Sequence, residues 1–363
     1  MVNKTYLPDG ERLEQLKRDF PGADKQRRAE WAREFGYKNI KALGDAVRTN
    51  LSISTSLPVN RIEESETPTV YQPYPDFKVK PFSVGKLRRD KEDVALFLAD
   101  LHLAKVTRSY NLKVAAKRLD NILGKAMRII ELHRPIGKVF LNLLGDIVQG
   151  ENIYQGSKIG STECGAWEQI NDYAIPLLSR FSLSLLQVTE EVEITGVWGN
   201  HGKYAREGTD KTNWDNFVYK GMGVALANQK KIKVRCPDIF CQLVNIQGFI
   251  YFLFHGHQIR TSLGIPSYGL RRKLQFWYAH FGGFHYAIGG HWHTWDSGQI
   301  NSYADYQICP PLITDDEWGL EIVGSASYPI QLIQGVHPRQ GRTWEYKLYA
   351  DNEFLPKPHQ VIG

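Results

Sequence analysis

Aspartate, asparagine and histidine gather in five short segments of this chain. They read Asp100-Leu101-His102, Gly145-Asp146, Gly199-Asn200-His201-Gly202, His255-Gly256-His257 and Gly290-His291-Trp292-His293. Carboxylate, amide and imidazole donors with no thiol among them suit divalent transition ions. Asp100 and His102 stand at i and i+2, so an extended segment points both the same way, toward one ion. His291 and His293 share that spacing, and each can reach a different ion. The two carboxylate oxygens of Asp146 can bridge ions about 3.5–4 Å apart. Asn200 adds a neutral amide oxygen, which leaves the site net positive and attractive to a phosphate dianion. His255 directly follows an apolar run and is the expected ligand of its segment; His257 is expected to face substrate. Any one segment is commonplace, and any one histidine equally suits a hydrogen-bonded core position. All five, each after an apolar run, point to a pair of ions sharing a carboxylate, the arrangement that hydrolyses phosphate esters.

Those runs identify the elements that must carry the ligands. Val94 to Ala99, Val139 to Leu144, Val192 to Trp198 and Phe249 to Phe254 are apolar throughout or nearly so, as strands buried on both faces are. Asn111 to His133 carries Val114, Leu119, Ile122, Leu123, Ile129 and Ile130 at helical spacing, and Ala166 to Glu190 is also helical. The alternation predicts a β-α-β series with a parallel sheet. Each ligand segment then sits just past the C-terminal end of a strand, where open α/β sheets place their sites.

Upstream, residues 1–50 read as a small helical domain. Glu11 to Phe20 ends at Pro21-Gly22; Asp24 caps a second helix with Ala29, Ala32 and Phe35 inward; Asn39 to Asn50 forms a third with Ile40, Leu43 and Val47 inward. Ala32 and Gly36 stand four apart, as in a helix-turn-helix, so this domain is a candidate DNA binder or else a plain helical accessory. Residues 51–92, with their Ser and Pro content, read as a linker, and 93–363 as the domain holding the site.

The bulk composition narrows the class. The chain has 363 residues, 42% of them hydrophobic, and 45 basic against 39 acidic residues give a net charge of +6. That excess permits a polyanionic partner without requiring one. Cys164, Cys236, Cys241 and Cys309 are far apart and without C-x-x-C spacing, which argues against a zinc knuckle or a disulfide framework and fits reduced, mostly buried thiols of a cytosolic protein. The first ten residues lack the apolar stretch of a signal peptide, and no apolar run is long enough to span a membrane.

The order D-x-H, G-D, G-N-H, H, G-H-x-H resembles the calcineurin-like metallophosphoesterases, over roughly Val94 to Trp295. Leu144 to Val148, Gly150 to Tyr154 and Gly199 to Gly202 further resemble the DNA-repair exonuclease branch, the SbcD-type nucleases, in its short phage and archaeal members. The resemblance implies an α/β fold: a two-sheet β-sandwich flanked by helices. It implies two divalent ions, Mn2+ foremost with Fe, Zn, Ni or Mg as alternatives, held by Asp100, His102, Asp146, Asn200, His255, His291 and His293. His291 would serve the second ion and His293 the first. His201 would be no ligand but the general acid at the leaving oxygen, while hydroxide held between the ions attacks. Two departures stand out: Gly202 replaces the usual Asp, and only 70 residues follow His293, too few for the rest of the sheet and a capping domain.

The activity implied is hydrolysis of DNA phosphodiester bonds in the cytoplasm, the host's if the chain is phage-encoded. The alternatives are a phosphatase or phosphodiesterase for a nucleotide or other small ester, and a DNA-binding regulator with a vestigial site. DNA is the expected partner, no membrane is involved, and a homodimer and a companion ATPase subunit are open partner questions. Lys203, His257 and Arg260 are candidate substrate contacts. Arg271, Arg272 and Lys273 suit either a phosphate groove or a solvated helix. Trp277, Tyr278, Phe281, Phe284 and Tyr286 suit core or dimer packing more than base stacking.

Overall fold

The computed structural model describes Leu7 and residues 10–54, 90–151, 161–203, 210–237, 239–259, 266–315 and 328–352. The chain divides into two compact units, Met1–Val84 and Gly85–Gly363.

The first unit holds α1 (Glu11–Asp19), α2 (Lys25–Glu34) and α3 (Ile40–Ser54). Asp24 caps α2 by accepting from the Arg27 amide at 2.8 Å. The three helices bury Leu16, Phe20, Ala32, Phe35, Leu43 and Val47 together. Ala29 and Ile40, also expected inward, are only half-buried. α3 runs to Ser54, into the expected linker; residues 55–89 of that linker lie outside the described residues.

The second unit is built on two sheets. The first contains β1 (Glu92–Leu98), β2 (Ile136–Leu143), β3 (Glu191–Gly196), β4 (Ile232–Arg235), β10 (Ile330–His337) and β11 (Gly341–Tyr349), in the order β11-β10-β1-β2-β3-β4. β1 to β4 run parallel, and β10 and β11 pair antiparallel at one edge. α4 (Leu112–Leu132), α5 (Ala166–Glu168) with α6 (Ile175–Leu185), and α7 (Trp214–Ala225) make the crossovers. Because β1 to β4 are adjacent in chain order and such crossovers share one hand, all the helices land on one face. Val94, Leu96 and Leu98 of β1 pack there with Leu119, Leu178 and Val218.

The other face meets the second sheet: β5 (Cys241–Ile246), β6 (Phe249–Phe254), β7 (Tyr286–Gly289), β8 (Asp296–Asn301) and β9 (Ala304–Ile308), ordered β5-β6-β7-β9-β8. Ala95, Phe97 and Ala99 pack between the sheets against Tyr251, Leu253 and Ile288. The alternate residues Phe252 and Phe254 turn outward to α8 (Pro266–His280), among Leu270, Leu274, Trp277 and Phe284. The layers are thus helix, sheet, sheet, helix: the expected two-sheet α/β sandwich. The expectation of one β-α-β series through Phe254 needs correction. Phe249–Phe254 belongs to the second sheet, antiparallel to β5 and parallel to β7.

Two further details differ from the sequence reading. The helix expected over Ala166 to Glu190 ends at Leu185 and contains a π-helical turn, Gln169–Ala174. Pro176 follows that turn; it has no amide hydrogen to donate, and the wider turn accommodates it. No described helix is long and apolar enough to cross a membrane.

The buried contact between the sheets predicts a stability effect. Phe97→Ala removes a fully buried ring lying 5.9 Å from the Tyr251 ring. Urea denaturation should show a loss of about 3–5 kcal/mol. An unchanged midpoint would mean the sheets do not depend on this contact.

Candidate metal centre

The ligand segments converge because the parallel strands continue to pair beyond their formal ends. Leu144 N–H donates to Leu98 O at 2.8 Å and Val197 N–H to Leu143 O at 2.9 Å. Past the strands, Asp100 N–H meets Gly145 O at 3.2 Å and His102 N–H meets Asp146 O at 2.9 Å. Gln331 of β10 closes the end of β1, accepting from Ala99 N–H at 2.6 Å and donating to Pro310 O at 3.1 Å.

The ligand residues themselves leave the strand conformation. Asp100, His102, Asp146, His291 and His293 have φ between 45° and 78°. That left-handed region is uncommon for residues with a Cβ and is concentrated at functional sites. Gly199 permits a close approach at the site: a Cβ there would stand 2.0 Å from Asp146 Oδ1.

Asp100, Asp146 and His255 are fully buried or nearly so, and His102 and His293 close to it. His102 Nε2 lies 3.0 Å from His293 Nε2. His255 Nε2 lies 2.9 Å from Asn200 Oδ1 and 3.1 Å from Asp146 Oδ2. His102, His255 and His293 each bring Nε2 within 3.8–4.0 Å of Asp100 Oδ1. Three groups have donor atoms close enough to share an ion: Asp100, His102 and His293; Asp146, His255 and His291; and His102, Asp146 and His201.

Hydrogen-bond accounting tests whether a cation fits. Asp100 Oδ1 is buried and, among the described residues, has no hydrogen-bond partner. A buried carboxylate oxygen without a donor is unfavourable; three inward imidazole nitrogens around it make a cation the natural complement. His255 Nδ1 lies 2.8 Å from Leu144 O, so it carries the proton there. Its Nε2 then faces only oxygens, those of Asn200 and Asp146, and needs either a second proton or a metal. Gln149 Oε1, 2.9 Å from His102 Nδ1, fixes that ring the same way. These backings set the tautomer and aim Nε2 inward, as metal-binding histidines require.

Electrostatics agree with the accounting. Burial alone would lower His255; the adjacent, hydrogen-bonded Asp146 carboxylate outweighs it and raises it to about 9. A proton is retained where a cation would sit. Burial raises Asp100 to about 6 against the pull of His255 and His293. Asp146 is held well below the usual carboxylate range, because the charges of His255 and His201 overcome its burial.

His201 stands apart from the buried set. Its backbone N–H donates to Asp146 Oδ1 at 2.7 Å, its Nδ1 lies 3.2 Å from Gln149 O, and the half-buried ring meets His102 edge-on at 4.6 Å. Half-buried His257 neighbours His255 and His291, with ring centroids 5.5 and 6.3 Å away, and burial lowers it to about 3. The Lys203 charge acts on it in the same direction. Arg260 lies outside the described residues. Arg271 and Arg272 are exposed on α8, while Lys273 sits over the Trp277 ring at 5.6 Å. Trp277 and Phe284 are core, with Tyr278 and Phe281 packed against them.

Sequence reasoning missed Gln149, Gln331 and Asp215. Gln331 sits in a stretch with no ligand spacing, and Gln149, just past the Asp146 segment, is not a ligand type. Asp215 is marked only by its place in the first turn of α7, a position acidic residues favour for any helix. Burial, then the Asp146 charge, push it up to about 7, while the Gly199 and Ile147 amides hold it down.

No family model and no curated protein matches the chain. Several solved structures overlap it at low identity. A dimetal phosphatase from Danio rerio is 12% identical with a TM-score of 0.35, covering 72% of this chain and 100% of its own. A predicted phosphoesterase from Streptococcus pneumoniae is 10% identical with a TM-score of 0.31, covering 70% and 98%. A zinc complex of Vps29 from Entamoeba histolytica is 11% identical with a TM-score of 0.33, covering 70% and 99%. At these values the site's own geometry must carry the functional reading.

That geometry predicts opposite effects at Asp100. Without metal, Asp100→Asn relieves a buried charge, so the chelator-treated variant should melt no lower than the unmodified protein. The rise in melting temperature on adding Mn2+ should largely vanish, since ligand-linked stabilisation requires binding. Calorimetry that finds the full Mn2+-dependent rise in the variant would remove Asp100 from the ligand set.

Proposed function

We propose that this centre holds two divalent ions, manganese foremost, and hydrolyses the phosphodiester bonds of DNA as a calcineurin-like, SbcD-type nuclease. One observation carries the dinuclear reading. Asp146 Oδ2 lies 3.1 Å from His255 Nε2 and 4.0 Å from His102 Nε2, so one carboxylate stands between two imidazole clusters. Asp100, His102 and His293 would hold one ion; Asn200, His255 and His291 the other; Asp146 would be shared. Mixed oxygen and imidazole donors suit Mn, Fe, Zn or Ni. When bound, such a pair supplies Lewis-acid charge for a phosphoryl oxygen and acidifies water.

The chain's own residues supply the rest. His201 is tethered through its backbone to Asp146 and keeps an accessible ring, so it can deliver a proton to a departing ester oxygen beside the ions. Asn200 binds without adding negative charge, which leaves the centre attractive to phosphate. His257 neighbours His255 and His291, and the Lys203 charge acts on it; in this reading both would meet the rest of the substrate. DNA as the substrate is supported by the motif order and by residues 1–90, where 17 basic against 13 acidic residues leave a surplus of four. A net basic segment favours polyanions through phosphate contacts.

His201→Ala should keep two metal equivalents while turnover of an oligonucleotide and of a chromogenic phosphodiester falls on the order of 10²-fold. Loss of an ion would move His201 into the ligand set. An unmodified protein that cleaves the small diester but no oligonucleotide would assign the centre to small phosphate esters.

A further inference from the structure

The Asp215 carboxylate collects backbone amides from two of the ligand loops. Oδ2 accepts from Asp146 N–H and from Gly199 N–H, each at 2.9 Å, and Oδ1 accepts from Ile147 N–H at 3.0 Å. The side chain is fully buried. Neighbouring contacts seat it. Asn213 caps α7, its Oδ1 accepting from Asp215 N–H at 2.9 Å, while its Nδ2 donates to Gly199 O at 2.8 Å. Trp214 N–H donates to Gly202 O at 2.6 Å. The start of α7 is therefore bonded to both sides of the Gly199–Gly202 turn and to the Asp146 turn.

This arrangement accounts for Gly202. A Cβ at that position would stand 2.1 Å from Asn213 Oδ1. The space a larger side chain would occupy after the G-N-H segment is filled by the cap of α7.

We propose that Asp215 is a positioning residue for the metal centre, a carboxylate clamp that sets the Asp146 and Asn200 loops in register before any ion binds. The three amides belong to residues adjoining or bearing the shared ligand and Asn200. Asp146 takes φ 49°; His102 N–H bonds its carbonyl and His201 N–H its carboxylate, and the clamp adds the bonds to its own amide and to that of Ile147. Ionised, the carboxylate satisfies three buried N–H groups that would otherwise lack acceptors. Asparagine cannot replace it: an amide offers one acceptor oxygen, and its NH2 group would face an N–H.

The inference rests on the two-ion reading, and the test separates the two. Mn2+ binding is titrated by calorimetry on the full chain for the unmodified protein, Asp215→Asn and Val218→Ala. Val218 is buried on α7 in the outer core and touches neither loop in the bonds above. Asp215→Asn should weaken Mn2+ binding by about 10- to 100-fold, the range for outer-shell partners. Val218→Ala should lower the melting temperature and leave Mn2+ affinity unchanged. Equal affinity in Asp215→Asn and the unmodified protein overturns the clamp, as does an equal loss in Val218→Ala. An unmodified protein that binds no Mn2+, Zn2+ or Fe2+ overturns the two-ion reading beneath it. Should Asp215→Asn fail to fold, hydrogen exchange on the unmodified, chelator-treated chain decides. The Asp146, Ile147 and Gly199 amides should stay protected without metal; exchange at open-loop rates would show that nothing preforms the site.

Discussion

Two carboxylates, Asp100 and Asp146, are buried at the ends of adjacent parallel strands, and this fact constrains the rest of the domain. Buried charge must be met by opposite charge or by donors. The chain provides few donors and many imidazoles. Asp100 Oδ1 receives no hydrogen bond among the described residues and stands within 4.0 Å of three Nε2 atoms. Such a cluster is poorly balanced by protons alone and well balanced by divalent cations. Its conformational strain has the same origin: the backbone turns left-handed at five ligand residues to bring their side chains to one point.

The fold makes that convergence affordable through layering. Parallel β1, β2 and β3 deliver Asp100, Asp146 and Asn200 at one edge of the first sheet, while β6 and β7 deliver His255, His291 and His293 from the second. Neither sheet alone contains all the donors. Packing of Phe97 and Ala95 against Tyr251 and Leu253 holds the two half-sites at fixed separation. A polar bridge reinforces it, with Tyr251 donating to Gln334 across the interface at 3.1 Å. Ion affinity and sheet packing are in this sense one property.

Much of this was legible in the sequence, for identifiable reasons. Val94 to Ala99 and Val139 to Leu144 read as strands because burial on both faces leaves almost no polar positions, Asn142 being the one in these runs. Asp24 and Asn111 read as helix starts and do cap α2 and α4. The second sheet was harder. β8 reads Asp-Ser-Gly-Gln-Ile-Asn, without the alternation that marks a strand, and β7 spans only four residues. Gln149, Gln331 and Asp215 were invisible for another reason. Each acts by hydrogen-bonding a loop far away in sequence, and no local pattern encodes such a partner.

Anomalous diffraction from crystals of the unmodified protein grown with Mn2+ tests the central claim most directly. The account predicts two manganese peaks on either side of Asp146, one beside Asp100, His102 and His293, the other beside Asn200, His255 and His291. A single peak, or manganese bound away from Asp146, would contradict it.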